Sequence, residues 1–229
     1  MWVGVDVGLR RLHAVAIDAT GDVLWADAFA PDEAVEHLRG AAGVAVDSPG
    51  DWSTAPHAGD ETVAPKFRLG RCGEIDLGRR YRLWVPWPTP PEPAPGTWMA
   101  TGIAVFAALR AAGHDPVEAY PYAGFRLLAG ERLPKKTTRE GRAVRARLLQ
   151  AEGIDVNVDA ALDLHDRDSE ALGLRGRERP QRSGDMGLER SHDLLDAALV
   201  ALVARQRTLG VARVAGCGHD TSGIWLPAP

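Results

Sequence analysis

Val3-Gly4-Val5-Asp6-Val7, then His13-Ala14-Val15-Ala16-Ile17, then Val23-Leu24-Trp25-Ala26-Asp27-Ala28, open the chain as three short strands in succession. Their β-branched residues recur at strand rather than helix period. Asp18-Ala19-Thr20-Gly21-Asp22 carries hairpin-type turn residues between the second and third runs, so the three are read as antiparallel neighbours. Outward from them, strands and helices alternate. Pro31 to Gly40 reads as a helix, with Pro at its start, Asp32 and Glu33 in its first turn and Gly40 as its stop. Val44 to Val46 is a short buried strand ending in Asp47-Ser48-Pro49-Gly50. Thr97 to Ala112 is an apolar helix, Pro116 to Tyr120 a strand carrying Glu118, and Lys135 to Ala151 a basic helix ending at Gly153. Ser191 offers an N-cap for a last helix, His192 to Leu209, stopped by Gly210. Ile224-Trp225-Leu226 marks one or two closing edge strands.

Two stretches break this alternation. From Asp51 to Gly96 the chain is rich in tryptophan, proline and arginine, a length of loop that is usually functional or mobile. Asp163 to Arg190 is polar and rich in Arg and Gly, and reads as flexible in part. The composition is otherwise that of an ordinary globular protein: 229 residues, 45% apolar and 25% charged, enough for a full sheet-and-helix core. No apolar run approaches the roughly 18 to 20 residues that span a membrane, and a cytoplasmic location is expected. Cys72 and Cys217 lie far apart and outside any CxxC spacing. That spacing argues against a structural zinc site or a disulfide framework, and the expectation is two reduced thiols. The net charge of -4 excludes a globally basic surface of the nucleic-acid-binding kind, leaving local patches to serve that role.

The acids are the informative residues. Asp6 and Asp47 each close a β-branched run, Glu118 sits inside a third, and Asp193 and Asp196 belong to the start of the last helix. An ionised carboxylate is costly to hold beside an apolar core unless something pairs with it. Strand-end acids that converge therefore point to a shared cation, and to metal-dependent chemistry on phosphate. Each acid also has a plainer reading. Asp6 can be a turn residue after a strand, Asp47 the initiator of an Asp-Ser-Pro turn, and Glu118 a solvent-facing member of an alternating strand. Asp193 suits the positive end of a helix dipole. Asp196 is harder to explain so, lying one turn deeper among Leu, Ala and Val. At i and i+3, Asp193 and Asp196 share a helix face and can offer two oxygens to one ion; the sequence does not separate their roles. His192 is either a further ligand or proton shuttle or simply exposed. Gly8 and Arg10 leave the backbone after Asp6 open to a ligand.

The element order is that of the ribonuclease H-like fold. Val3-Gly4-Val5-Asp6, Val44-Ala45-Val46-Asp47-Ser48-Pro49, Glu118-Ala119-Tyr120-Pro121, Lys135-Lys136-Thr137 through Gly141 and Arg145, and His192-Asp193-Leu194-Leu195-Asp196-Ala197 resemble the DUF429 family, described as predicted nucleases of that fold. The resemblance runs from Val3 to Trp225 and rests on the order and spacing of short motifs. It implies an α/β fold with a mixed five-stranded sheet flanked by helices, in one domain over residues 1–229 with insertions near 51–96 and 122–190. It also implies a nuclease or phosphodiesterase using Mg2+ or Mn2+ in a two-metal hydrolysis, with Asp6 as the carboxylate that bridges the ions. The catalytic set is then Asp6, Asp47, Glu118, Asp193 and Asp196, with Asp6, Asp47, Asp193 and Asp196 holding metal. Asp193-x-x-Asp196-Ala197 further resembles the start of the last helix in bacterial Holliday-junction resolvases.

Basic residues supply the expected substrate contacts. Between Arg126 and Arg147 eight Arg and Lys face two Glu, a surface able to neutralise several phosphates, although a charge run can equally be a solvated helix face. Lys135, Lys136 and Arg145 are the candidates there, with Arg10 after the first strand. Arg71 heads a second set with Arg68, Arg79, Arg80 and Arg82, interleaved with Phe67, Tyr81, Trp84 and Trp87. Those aromatics either stack on unpaired bases or pin the long loop to the core. Nucleic acid is the expected partner, with a homodimer if the substrate is a two-fold junction. Two other classes stand beside the nuclease. Val3-Gly4-Val5-Asp6-Val7-Gly8 also resembles the first phosphate loop of the actin and sugar-kinase group, whose further glycine-rich segments have only Ala215-Gly216-Cys217-Gly218 as a poor candidate here. The other is a non-catalytic binding or assembly module that keeps the fold.

Overall fold

The computed structural model describes residues 1–156 and 186–228, with the backbone alone over 186–191. Strands β1 (Trp2–Val7), β2 (Leu12–Ile17) and β3 (Val23–Phe29) form an antiparallel meander. β4 (Gly43–Asp47) and β5 (Val117–Ala119) then run parallel to β1. The order β3-β2-β1-β4-β5 with these directions is the ribonuclease H-like arrangement. Among the described residues the sheet has seven strands rather than the expected five. β7 (Ile224–Leu226) pairs parallel with β5, and β6 (Arg213–Ala215) closes the edge antiparallel to β7. The added hairpin covers a β5 edge that would otherwise leave backbone groups unpaired.

Side-chain parity divides the sheet. Val3, Val5 and Val7 of β1 and Val44 and Val46 of β4 face a core formed with α1 (Ala34–His37) and α3 (Trp98–Ala111). Gly4, Asp6, Ala45 and Asp47 alternate with them and take the opposite face, as a pleated strand requires. There lies α6 (Met186–Thr208), which packs against β1, β2 and β4 and, on its outer side, against α4 (Pro121–Ala129) and α5 (Arg139–Ala151). Its central residues, Leu195 and Ala197 to Ala204, are buried all round. Gly4 makes the close approach possible: a Cβ there would stand 2.1 Å from Ala197 O and Ala201 N.

Several elements differ from the sequence reading. The expected helix over Pro31 to Gly40 is a 3-10 turn, Pro31–Glu33, followed by the four-residue α1, and Gly40 at φ 77° turns the chain away. α2 (Cys72–Tyr81) lies within the stretch that showed no pattern. Its Gly73 and Gly78 weaken local helix preference but admit neighbours, since a Cβ at Gly78 would meet the Trp84 ring at 2.3 Å. α4 was likewise not anticipated, although Pro121 at its first turn and Gly130 in the left-handed region are ordinary bounds. α5 starts at Arg139 rather than Lys135, capped by Thr138, whose Oγ1 accepts from Gly141 N at 3.0 Å. α6 begins at Met186, so Ser191 lies inside the helix and does not cap it. The proposed flexible stretch lies outside the described residues up to position 185. The cysteines are also not two free thiols. Cys72, opening α2, and Cys217, in the β6–β7 connection, form a disulfide across a sequence separation of 145, because β7 brings that connection onto the α2 N-terminus.

Candidate active site

β1 and β4 are parallel neighbours whose register places Asp6 directly opposite Asp47. Both occupy the α6 side at the C-terminal edge of the sheet. On the antiparallel side of β1, Asp6 stands opposite His13 of β2. α6 delivers Asp193 and Asp196 to the same edge roughly two turns after its start, beyond the reach of the helix-end dipole. His13 Nδ1 lies 3.9 Å from an oxygen of Asp6 and 3.9 Å from an oxygen of Asp193. Ligand atoms of Asp6, His13 and Asp193 all fall within 4.8 Å of one another. Lys136, from the turn before α5, reaches in and donates to Asp196 Oδ2 at 2.5 Å, with Asp193 Oδ1 3.9 Å away. His192 Nδ1 lies 2.5 Å from Asp193 Oδ1.

This concentration of acid perturbs its members. Burial, followed by the charges of Asp47, Asp196 and Asp193, pushes the Asp6 carboxyl well above the usual carboxylate range. Burial and then Asp196 raise Asp47 to about 8. Burial also raises Asp196, opposed by the Lys136 ammonium. Burial works against the charge on Lys136, but Asp196 more than offsets it and the ammonium is held above the usual lysine range. Clustered carboxylates of this kind are stabilised by cations and protonate when none is at hand.

A cleft of about 390 Å³ opens over this edge, bordered by Asp6, His13, Asp47, Tyr120, Lys136 and Asp193 and, at its other end, by Arg71 and Glu118. Glu118 does not join the aspartates. It pairs in register with Val46 and so belongs to the opposite face from Asp47. There Arg71 holds it bidentately, Nη1 to Oε2 at 2.6 Å and Nη2 to Oε1 at 2.5 Å, and Gly50 N donates to Oε2 at 3.2 Å. Arg71 is correspondingly not an open phosphate contact. Its remaining donors go to Glu74 and Thr89, each at 3.2 Å, and it is 2% exposed.

The other basic candidates separate as well. Lys135 is exposed, and Arg10 is exposed on the β1–β2 turn outside the cleft lining. Arg145 is buried, with Nη1 donating to Pro134 O at 3.1 Å and Gly141 O at 2.9 Å and its guanidinium over the Phe125 ring. It secures the turn that carries Lys136. Among the aromatics of the long loop, Trp84 stacks on Phe67 and packs on Gly78, whereas Trp87 is 69% exposed on the cleft border. His13 escaped the sequence reading. Only the hairpin register, which sets it across from Asp6, marks it.

A family model described as a protein of unknown function, DUF429, matches residues 92–217, more than half of the chain. Two solved structures are similar over most of its length. Thermus thermophilus RuvC is 18% identical with a TM-score of 0.40, covering 91% of this chain and 96% of that one. T. thermophilus RuvC in complex with a Holliday junction substrate is 14% identical with a TM-score of 0.38, covering 92% and 98%. No curated protein matches the chain in sequence.

Proposed function

We propose that this chain, which belongs to the DUF429 family, is a divalent-metal-dependent nuclease or phosphodiesterase acting in the cleft over Asp6 and Asp47. The observation that carries the reading is the convergence of Asp6, Asp47, Asp193 and Asp196 from two strands and a helix, with burial and like charge raising the carboxyl pKa of Asp6, Asp47 and Asp196. A donor set of carboxylate oxygens suits Mg2+ or Mn2+. Such ions, bound as a pair, activate the attacking water and neutralise the leaving oxygen.

The chain's own groups supply the rest. Asp6 and Asp47 are paired in register on adjacent strands, so the spacing of their backbones is set by the sheet. Lys136, its side chain 41% exposed, joins the acids to the cleft and is placed to pair with a phosphate oxygen. Lys135 adds exposed positive charge beside it. His13 and His192 flank Asp193 and can take or give a proton there. The exposed face of Trp87 offers a stacking surface for an unpaired base. Nucleic acid is therefore the proposed partner and the cytoplasm the proposed location; among the described residues no helix is long and apolar enough to cross a membrane. A homodimer belongs to this reading only for a two-fold substrate.

Lys136 favours a second reading. Its ammonium already neutralises Asp196, an arrangement that a binding module without turnover would also keep. One experiment decides between them. Wild type, Asp6→Asn and Asp47→Asn are assayed for binding and cleavage of single-stranded, duplex and branched DNA and RNA with Mg2+ or Mn2+. The nuclease reading expects wild-type cleavage that both substitutions abolish while binding survives. Binding without cleavage by the wild type supports the module, and neither binding nor cleavage at low salt removes nucleic acid as the substrate.

A further inference from the structure

Apart from the acids, a second group of ligating side chains gathers where three segments meet. His57 comes from the loop after β4, Cys72 opens α2, and Cys217 lies between β6 and β7. His57 Nε2 is 3.1 Å from Cys217 Sγ and 3.8 Å from Cys72 Sγ, and ligand atoms of all three lie within 4.8 Å of one another. A disulfide needs no imidazole aimed at both of its sulfurs. His57 is 7% exposed and Cys72 fully buried, so the ring is held there by the fold.

The surroundings are those of a metal ligand set. Asp60 Oδ2, which accepts from Arg79 Nη2 at 2.8 Å, lies 3.6 Å from His57 Nδ1, near enough to bond the second ring nitrogen, as carboxylates behind metal-bound histidines do, after a small shift. Cys72 occupies a helix N-terminus, which favours thiolate. His219, two residues after Cys217, sets its ring edge-on to that of His57 at a centroid distance of 5.5 Å. The two sulfurs and the His57 imidazole converge; His219, exposed and outside that group, completes a Cys2His2 donor set for zinc when its ring turns inward.

We propose that His57, Cys72, Cys217 and His219 form a structural zinc site whenever the cysteine pair is reduced. Two equivalents of a monothiol reductant convert the disulfide to two thiols and leave as one oxidised disulfide. Zn2+ then displaces one proton from each thiol. The site would tie the loop after β4 and the β6–β7 connection to α2, one residue from the Arg71 that holds Glu118.

The test uses the full chain carrying Asp6→Asn, which weakens zinc binding at the aspartates, and the same chain with Cys217→Ser added gives the zinc that remains there. After reduction and chelation it is titrated with Zn2+ and, separately, with Co2+. One zinc per chain, a thiolate-to-cobalt charge-transfer band with tetrahedral d–d bands, and zinc protection of both cysteines from alkylation are expected. Cys217→Ser should lose the band, and Asp60→Asn should weaken zinc by about 10- to 100-fold while leaving the fold intact by circular dichroism. A reduced, folded protein that retains no zinc and alkylates equally fast with or without it overturns the proposal and leaves the pair a disulfide. That result would not touch the nuclease reading, which rests on other residues.

Discussion

Asp47 shows most directly what burial and like charge do to one residue. Its carboxyl lies at about 8 against an ordinary 3.8, so between those values the folded chain holds a proton that the unfolded chain has released. Stability of the metal-free protein should therefore fall as pH rises from about 4 to about 8, the sign opposite to that of a salt-bridged aspartate. Thermal melts in EDTA across that range should show the decline. Asp47→Asn should make it shallower, Asp6 and Asp196 still contributing, and Mg2+ or Mn2+ should offset it by binding the native state alone. An identical slope in the mutant would place the titration elsewhere. Arg71 presents the contrasting case of a buried charge that is fully paired. Arg71→Ala leaves Glu118 and Glu74 without a counter-charge and should cost about 3–5 kcal/mol in urea unfolding. Arg71→Lys should recover only part of this, because an ammonium cannot make the two parallel bonds to Glu118.

Among the elements, α6 decides whether the aspartates meet. Its contact with β1 is backbone to backbone at Gly4, so Gly4→Ala forces the helix outward and should destabilise the protein by about 1–3 kcal/mol. The same shift carries Asp193 and Asp196 away from Asp6 and should shrink the metal-induced rise in Tm. A full metal response in a destabilised Gly4→Ala protein would show that α6 does not set the site. The turn before α5 has a comparable task for Lys136. Thr138 caps that helix and also donates to Lys135 O at 2.8 Å, so Thr138→Ala should cost about 1 kcal/mol and loosen the lysine.

For the molecule as a whole, a net charge of -4 coexists with a local run of basic residues beside the cleft. The structure divides that run by burial. Lys135 is free to meet a polyanion, whereas Arg145 is committed to the carbonyls of Pro134 and Gly141. Lys135→Ala should weaken duplex DNA binding and lower the slope of log affinity against log salt by about 0.9, as expected for one lost phosphate contact. Arg145→Ala should instead lower Tm and leave the salt slope of the remaining folded protein nearly unchanged. Binding isotherms over a salt series, with melts of both variants, check the division. Equal slopes for Lys135→Ala and wild type would remove Lys135 from the interface.

How much of this was legible in the chain depended on the range of the interaction involved. The meander, β4, β5, α3 and the late helix were readable because strand alternation and apolar helical runs are local, and the acids at their ends were visible with them. That Asp6 and Asp47 share a face follows from register, which the sequence indicates only through the parity of the surrounding valines. Glu118 belonged to an equally good strand, yet one residue of parity put it on the other face, against Arg71. α2 and α4 were missed because the glycines that weaken a helix locally are what allow them to pack against Trp84, Ile224 and Pro227. The sequence by itself determined the ribonuclease H-like order and the inventory of acids, since both are written in short-range pattern. Tertiary structure alone decided which acids meet, where Lys136 reaches, that His13 joins them and that Cys72 meets Cys217, because these depend on contacts between residues far apart in the chain.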